Sequence, residues 1–470
     1  MREVSGRVPA TPSPGPLETY AQAFDELFSK RGQREGFRRY LEGLLLPSER
    51  NKTLTGLANT EPIVGAQHPQ AQRLQWFLSE STWEPEEANQ CRLALLGQNP
   101  ATAPNDQGVL VIDETGDRKW GNQTAHVGRQ YLGSIGKIDN GVVSVSSLWA
   151  NEQIYYPIDV APYTPASWFE KGKRDPQFQT KPEIALELVR KGWEWGLPFR
   201  AVVADSFYGD HLGFQEGLDE LGVGYVLALK PSHCWWHLAG DIGCVMEVAQ
   251  THHWEEQAPG AWAKLIRRFH DGHEEIWWVL EAQAGPYGVT KSQRLVIATT
   301  DPKELPEQST WYLVTNLPAP GSARSQKVEL ASASLAEVVR LYGLRVWVEQ
   351  SYKQVKQTLG WAQYQVRSSL AIRRHWQLVL CAFSFCWWVA GQAQGKGMAL
   401  GVGGGRPLEV EDMSTKPASR AEVGEKGAAS TQLAYGATEG AGVAGTVLHA
   451  EALLASVVRK ASTCALAGAA

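Results

Sequence analysis

Two short apolar runs, each followed at once by an aspartate, constrain the fold of this chain more than any other feature. Residues 109–112 (VLVI) precede Asp113. Residues 201–204 (AVVA) precede Asp205 in the same way. Short apolar runs rich in β-branched residues are typical of strands buried on both faces of a sheet. Because ligands usually bind at the carboxyl ends of such strands, the runs predict an α/β sheet with two carboxylates at its functional edge.

A third acid lies on a stretch with helical periodicity, residues 336–360. Ser334 and Glu337, at its start, have the spacing of a capping box, which satisfies free backbone donors of the first turn. At about 3.6 residues per turn, four residues share one face of this helix: Tyr342, Arg345, Glu349 and Lys356. The spacing alone leaves two interpretations open. One is a solvated face with weak intrahelical ion pairs, and the other is a carboxylate held between two cations for use in a site.

These four residues, together with the two aspartates, resemble a known family signature. Their order and spacing are similar to the YREK signature of the insertion-sequence DDE transposases: Tyr342, two residues, Arg345, three residues, Glu349, six residues, Lys356. The resemblance extends from about residue 25 to about residue 390. It implies a ribonuclease-H-like core and a DNA transposase that cuts and joins the ends of an insertion sequence by two-metal phosphodiester hydrolysis and transesterification.

The resemblance also implies the roles of individual acids. Asp113, Asp205 and Glu349 would be the catalytic residues and the ligands of two Mg²⁺ ions, for which Mn²⁺ can substitute. Three carboxylates without Cys or His are a ligand set that suits Mg²⁺. Two such ions activate the attacking oxygen and neutralise the leaving oxygen at one phosphorus. The main rivals for these ligand roles are Glu114, Asp117 and Asp210.

Further residues are expected to contact DNA. Arg345 and Lys356 suit phosphate oxygens. Trp311 resembles the family tryptophan that stacks on a base flipped out of the DNA end, and a core position is its alternative. For the basic stretch 30–39, the alternative to phosphate contact is a helical bundle packed on the core. The complete set of expected DNA contacts is Tyr342, Arg345, Lys356, Trp311, Lys353, Arg38 and Arg39.

The order of predicted elements divides the chain into six segments. Strand, hairpin, helix, strand, helix and strand follow one another up to residue 229, and the hairpin is predicted to turn at Asn140-Gly141. This is the order of a ribonuclease-H-like core. The stretch between the second aspartate and the glutamate is too long for one connection, and its alternating pattern predicts an all-β insertion domain with strands at residues 265–266, 276–280, 295–299 and 311–315. The expected segments are a flexible arm (1–16), a helical DNA-binding domain (17–100), the first part of the core (105–230), the insertion (231–325), the second part of the core (326–390) and a Gly/Ala-rich, mostly disordered tail (391–470).

Composition and charge give weaker guidance. The net charge of −5 does not announce a nucleic-acid binder, although basic residues are crowded locally. The six cysteines lack the spacing of a disulfide framework, so reduced thiols are expected. The most apolar run, residues 376–390, is too short to span a membrane and predicts a buried helix. Reduced thiols and the lack of a membrane-spanning run predict a cytoplasmic protein without a membrane partner, and the family resemblance implies a bacterial, nucleoid-associated one.

The expected partner is double-stranded DNA, both as terminal inverted repeats and as target DNA. A homodimer in a paired-end complex is also expected, because two DNA ends need two active sites and one chain supplies a single acidic triad. Two alternatives remain open. The unusual tail is compatible with a catalytically inactive, transposase-derived DNA-binding protein. A glycosidase with paired acids on a Trp-rich surface would leave Arg345 and Lys356 unexplained.

Overall fold

The computed structural model describes residues 7–47, 50–60, 67–236, 242–268, 273–282 and 293–399. The first six residues of the predicted arm and residues 400–470 of the predicted tail lie outside these ranges. The rest of the arm is tied to the helices that follow, since the carbonyl of Val8 accepts a hydrogen bond from Arg34 at 2.8 Å. Residues 391–399, which the composition assigned to the tail, form the end of the last helix instead.

The described residues form helices and strands in the following order. The helices are α1 (Pro16–Gln22), α2 (Arg31–Leu45), α3 (Leu54–Leu57), α4 (Pro69–Ser79), α5 (Pro85–Gly97), α6 (Lys181–Glu194), α7 (Ser206–Gly209), α8 (Leu212–Glu220), α9 (Val245–Gln250), α10 (Leu335–Gly343), α11 (Val346–Gln357) and α12 (Ser369–Ala399). The strands are β1 (Val109–Arg118), β2 (Gly128–Leu132), β3 (Lys137–Ala150), β4 (Tyr155–Tyr163), β5 (Ala201–Ala204), β6 (Tyr225–Ala228), β7 (Cys234–Trp236), β8 (Ile242–Cys244), β9 (Ala263–Arg268), β10 (Glu274–Ala282), β11 (Arg294–Thr299) and β12 (Thr310–Thr315).

One mixed sheet forms the centre of the molecule. Its strand order is β2-β3-β1-β5-β6-β12-β11-β10-β9, and β4 pairs with the second part of β3. β1, β5 and β6 are parallel to one another, whereas β3 is antiparallel to both β1 and β4. This combination of three antiparallel strands, a parallel group and covering helices fits a ribonuclease-H-like fold, as predicted.

The segment between β6 and α10 extends this sheet. β12 pairs antiparallel with β6, where Leu313 lies opposite Ala228, and β11, β10 and β9 continue outward. These are the four strands predicted for the insertion. The expectation that the insertion is all-β is wrong, since α9 lies within it. Because the four strands hydrogen-bond in one ladder with the core, their position is fixed relative to β5 and β6.

The hairpin between β2 and β3 turns at a different place from the predicted one. Asn140 and Gly141, predicted as the turn, lie inside β3. The chain reverses just before Gly136, whose φ of 63° is a left-handed conformation that favours glycine. Asn140 instead donates from its side-chain amide to the carbonyls of Lys119 and Gly121, at 2.8 and 2.7 Å. The side chain of Asn140 therefore fixes the segment after β1, and its backbone continues in the extended conformation of β3.

The predicted glutamate-bearing helix is two helices, α10 and α11, separated at Leu344 and Arg345. Ser334 caps α10 by accepting a hydrogen bond from the backbone nitrogen of Glu337 at 3.2 Å. The carboxylate of Glu337, predicted to complete a capping box, accepts a hydrogen bond from Arg200 at 2.8 Å instead. The N-terminal boundary was therefore predicted correctly, and the interruption was not.

α12 is a buried helix that joins the N-terminal helices to the sheet. The ring of His375 is fully buried and shares a hydrogen bond of 2.8 Å with the hydroxyl of Tyr40 in α2. Arg92 of α5 is also buried and donates to two carbonyls of β4, at 2.8 and 2.7 Å, and to Ser384 of α12 at 3.1 Å. Residues 376–386 are buried, as predicted, and residues 387–390 are half-buried. Within the described part of the chain, no helix has the length and apolarity needed to cross a membrane.

Candidate active site

Asp113 lies within β1, not at its end as predicted. β1 continues to Arg118 because it pairs with β3 along its whole length, with Asp113 opposite Ser146. Its parallel pairing with β5 stops earlier, at the pair Ile112 and Ala204. Asp113 is therefore the first residue of β1 beyond the parallel pair. Its side chain is still at the carboxyl edge of the parallel strands, where the sequence placed it.

Asp205 directly follows β5, as predicted, and caps the short helix α7. Its Oδ1 accepts a hydrogen bond from the backbone nitrogen of Phe207 at 3.0 Å. α7 packs so closely on β6 that a Cβ atom added at Gly209 would lie 1.8 Å from the carbonyl oxygen of Ala228. Only glycine allows this approach. The turn after β5 is thus held in place, and Asp205 is held beside the neighbouring strand that carries Asp113.

Arg345, between α10 and α11, brings the three predicted catalytic acids together. Its Nη2 atom lies 3.0 Å from Oδ2 of Asp113 and 4.0 Å from Oδ2 of Asp205. Its Nη1 atom lies 3.3 Å from Oε1 of Glu349, which is one turn later. Three carboxylates from three elements therefore share one guanidinium. The Nε atom of Arg345 is buried without a hydrogen-bond partner among the described residues.

The three acids differ in their surroundings. Asp113 is buried, and this burial, together with the charge of Asp205, raises the pKa of Asp113 to about 7 even though Arg345 opposes the shift. Glu349 is exposed, with 61% of its side chain accessible. Burial disfavours the charge on Arg345, but the nearby carboxylates, first of all Asp113, raise its pKa above the ordinary value. The guanidinium is therefore charged and compensates a buried acid.

The rival acids are engaged elsewhere. Glu114 accepts a hydrogen bond from the hydroxyl of Tyr208 at 2.7 Å and forms an ion pair with Lys181. Asp210 lies 3.3 Å from Lys230 and is paired with His233. Asp117 is buried and paired with Lys356 at 2.7 Å. These contacts leave Asp113, Asp205 and Glu349 as the acids that converge.

Lys356 contacts β1 and not the glutamate. Its Nζ lies 2.7 Å from Oδ1 of Asp117 and donates to the carbonyl of Gly116 at 3.1 Å. The prediction that Glu349 lies between two cations is therefore right for Arg345 and wrong for Lys356. The two cations instead pair with two acids of β1, four residues apart, and these ion pairs align α11 along the strand.

Tyr342 and Trp311 belong to an aromatic cluster beside the acids. Their ring centroids are 4.9 Å apart, and the ring of Trp277 lies 4.6 Å from that of Trp311. The guanidinium of Arg267 covers both tryptophans, at 4.5 and 4.6 Å from the ring centroids. Trp311 is half-buried and packs against the hydrophobic core. Lys353 is exposed on α11.

The basic stretch at the start of α2 divides into buried and exposed residues. Arg38 is buried, and its guanidinium lies 2.8 Å from Glu18 and 2.7 Å from Asp25. The prediction that Arg38 contacts DNA is therefore wrong, because both its charge and its donors are used inside the helical bundle. Arg39 is exposed and pairs with Glu42 at 3.1 Å on the helix surface. It remains accessible to a phosphate.

Two further residues beside Asp113 were missed by the sequence reasoning. The hydroxyl of Tyr352 shares a hydrogen bond of 2.6 Å with Ser146, the residue opposite Asp113 on β3. Tyr352 lies three positions after Glu349 on α11, so helical periodicity contained the signal. Ser146 gave no such signal, because its position depends on the register between β1 and β3.

The donor set fits a divalent metal ion. All three side chains offer carboxylate oxygens, the ligands that Mg²⁺ and Mn²⁺ prefer, and the buried Asp113 carboxylate needs a neighbouring positive charge. In this conformation, no group of three or more His, Cys, Asp or Glu residues in the described ranges is arranged to hold a metal ion. The guanidinium of Arg345 lies within 4.0 Å of each of the three carboxylates.

Comparison with known proteins adds to this geometry. The family model described as DDE superfamily endonuclease matches residues 23–241, and the model described as transposase DDE domain matches residues 182–385. A probable transposase for insertion sequence element IS701 from Microchaete diplosiphon is 32% identical over 359 residues, which cover 76% of this chain and 83% of the relative. The matched ranges contain all three acids that share Arg345.

Proposed function

The chain belongs to the DDE transposases, and from this membership we propose that it cuts the ends of an insertion sequence and joins them to target DNA with Asp113, Asp205 and Glu349 as its catalytic residues. One observation carries the assignment of these residues. Carboxylates from β1, from the end of β5 and from α11 share a single guanidinium. Acids that converge from separate elements and are compensated by one cation support a common role at one phosphate.

Enzymes of the DDE superfamily use divalent metal ions. We propose that the three carboxylates hold two Mg²⁺ ions and that Mn²⁺ can replace them. Such ions activate the attacking oxygen and stabilise the leaving oxygen of a phosphodiester. The protein contributes the fixed geometry. Asp113 is held by the pairing of β1 with β3 and by the parallel pairing of the preceding residue, Ile112, with β5. Asp205 is held by its capping contact, and Glu349 by the alignment of α11 along β1.

Arg345 would bind a substrate phosphate once the carboxylates hold metal ions. Its guanidinium would then exchange three carboxylates for phosphate oxygens, which suit its paired donors. Lys353 is exposed on the same helix and would add a phosphate contact. Lys356 would reach the DNA only by leaving Asp117, so we assign it a lesser share of DNA binding. Tyr342 would donate its hydroxyl to a phosphate.

Two other regions complete the proposed DNA interface. Trp311 would stack on a base flipped from the DNA end, and its half-buried ring beside Trp277 and Arg267 supports such a role. The N-terminal helices would hold the terminal inverted repeat through exposed cations such as Arg39. We also propose that two chains act together on two ends, because each chain supplies one triad. The inactive DNA-binding protein and the glycosidase are disfavoured by the family membership.

The test is cleavage of end-labelled element termini by the purified protein in Mg²⁺, in Mn²⁺ and in EDTA. We expect Asp113→Asn, Asp205→Asn and Glu349→Gln each to lower cleavage by roughly a thousandfold, since each removes a metal ligand from the reaction. Asp210→Asn is the matched control, because Asp210 lies five residues after Asp205 and is engaged by Lys230 and His233 outside the triad. Cleavage by Asp113→Asn at the wild-type rate would overturn the residue assignment. Wild-type protein that binds the ends but never cuts them would favour the inactive alternative.

A further inference from the structure

The hairpin of β2 and β3 projects an unusual surface. We define the ribbon as β2, residues 137–141 of β3, and residues 118–120, which are the last residue of β1 and the two residues after it. In its ladder Tyr131 lies opposite Ile138, and these side chains are 59% and 61% exposed. Trp120 is 83% exposed. Large apolar side chains that cluster on a surface usually mark a binding site.

The charge of the ribbon indicates what it binds. Arg118 pairs with Asp139 at 3.1 Å and lies over the ring of Trp120, 4.4 Å from its centroid. The backbone nitrogen of Asn140, and then the charges of Arg118, Lys137 and Arg129, hold the pKa of Asp139 below the ordinary value. Arg118 and Lys137 lie on the face of the ribbon that carries Asp139, and Arg129 lies on the other face with Tyr131. The ribbon thus carries three cations and one acid on its two faces. Basic residues interleaved with exposed aromatic rings are the composition of a surface that binds nucleic acid without reading its sequence.

The position of the ribbon relates it to the triad. Arg118 is five residues after Asp113 on the same strand, which is roughly 17 Å at the usual rise per residue. DNA rises about 3.4 Å per base pair, so the ribbon would contact a duplex about five base pairs from the phosphate at the triad. In the sheet, the ribbon lies on the β3 side of β1, whereas Trp311 lies on the opposite side, on β12.

We propose that the ribbon binds target DNA through its three cations, Trp120 and Tyr131. This inference rests on the proposed function. The side of the sheet that carries Trp311 would hold the element end, so DNA that continues past the reacting phosphate lies on the ribbon side. The sequence of target DNA differs from one insertion to the next, and charge and apolar contacts suit such a partner because they fix position without specifying bases.

The test compares the double variant Arg129→Ala/Lys137→Ala with Arg190→Ala/Lys327→Ala, which removes the same number of exposed charges elsewhere. With pre-cut ends already bound, capture of an arbitrary target duplex is followed against salt concentration. We expect the ribbon variant to lower strand transfer at least about tenfold and to reduce the salt slope of target binding by about two, while end cleavage is unchanged. Trp120→Ala should lower target capture, and Trp120→Phe, which keeps an exposed apolar ring, should retain most of it.

Several results would overturn this proposal. Equal loss of end cleavage and strand transfer would mean that the ribbon binds the element end. Target capture equal to that of the control variant would mean that it binds no DNA. Loss of self-association in Trp120→Ala, without loss of target capture, would assign the surface to a second copy of the chain. Binding of the arbitrary duplex is measured without cleavage or strand transfer. A ribbon that does not bind target DNA can therefore be distinguished from a protein that lacks the proposed transposase activity.

Discussion

Replacing Arg345 with methionine removes the guanidinium that three carboxylates share and keeps an unbranched apolar side chain. The variant leaves Asp113 buried without its closest cation, whose Nη2 lies at 3.0 Å in the wild type. Asp205 loses a contact of 4.0 Å and Glu349 one of 3.3 Å. The perturbation therefore falls mainly on Asp113.

The magnitude follows from the burial of each acid. Removing one partner of a buried ion pair costs about 3–5 kcal/mol, whereas an exposed pair contributes about 0–1 kcal/mol. The side chain of Glu349 is largely exposed and that of Asp205 is partly so, so their shares are small. Asp113 can also escape part of the penalty by taking up a proton. We expect a loss of about 2–3 kcal/mol in the free energy of unfolding at pH 8.

The pH dependence has a definite sign. Burial raises the pKa of Asp113 in the folded wild type to about 7, and loss of Arg345 would raise it further. In the folded variant the acid is protonated at pH 6 and carries no uncompensated charge. Above pH 7 the aspartate is ionised in the unfolded chain. In the folded variant it must either carry a buried charge without a cation or stay protonated, and both cost free energy. The difference in stability between wild type and variant should therefore grow from pH 6 to pH 8.

The assay is urea unfolding in EDTA and in Mn²⁺. The matched control is Arg340→Met, because Arg340 pairs with a partly exposed Glu152 on the molecular surface and should cost less than about 1 kcal/mol. Mn²⁺ should stabilise Arg345→Met more than the wild type, since in the wild type the ion must first replace the guanidinium. Equal stability of the two variants at every pH, or equal stabilisation by Mn²⁺, would refute this account of the site.

Three further predictions concern other parts of the chain. Lys356→Met should lower the free energy of unfolding by about 2–4 kcal/mol, because the buried Asp117 loses its ion-pair partner. Adding Asp117→Asn to Lys356→Met should restore that stability but not the affinity for DNA. Recovery of both would contradict a phosphate contact of Lys356. Burial lowers the pKa of His375 to about 3, so as the pH falls the unfolded chain takes up a proton on this residue before the folded chain does. The free energy of unfolding should therefore decrease below about pH 6.5, by about 1.4 kcal/mol per pH unit more than in His375→Gln. Equal slopes in the two proteins would be evidence against this. Mixing active protein with DNA-binding Asp113→Asn chains should lower double-end cleavage more steeply than dilution, and strict proportionality would mean that single chains work alone.

The convergence of the acids could be predicted because it depends on local patterns. Two apolar runs predicted buried strands followed by carboxylates, and the parallel pairing of these strands in the structure places Asp113 beside Asp205. The interruption of the glutamate-bearing helix could not be predicted, since Leu344 and Arg345 keep right-handed helical dihedral angles. The side-chain periodicity therefore continues through the break almost unchanged.

The errors arose where distant residues decide the outcome. The burial of Arg38 depends on Glu18 and Asp25, which come from preceding segments and meet it only in the folded bundle. The sequence of a basic stretch is the same whether its side chains are exposed to solvent or form buried ion pairs. The Asn140-Gly141 pair was predicted as a turn from its propensity, but the contacts of Asn140 with the segment after β1 override that preference. Tertiary contacts of this kind leave no local signal.

The way α5 and α12 are joined has a consequence for engineering. Arg92 donates to two carbonyls of β4 and to Ser384 of α12 from a fully buried position. A chimera that exchanged the first hundred residues for those of another protein would leave these acceptors without a donor and expose the apolar face of α12. Under the proposed role of the N-terminal helices in holding the DNA end, altered end recognition is to be sought by changing surface side chains such as Arg39, because these helices cannot be exchanged as a unit.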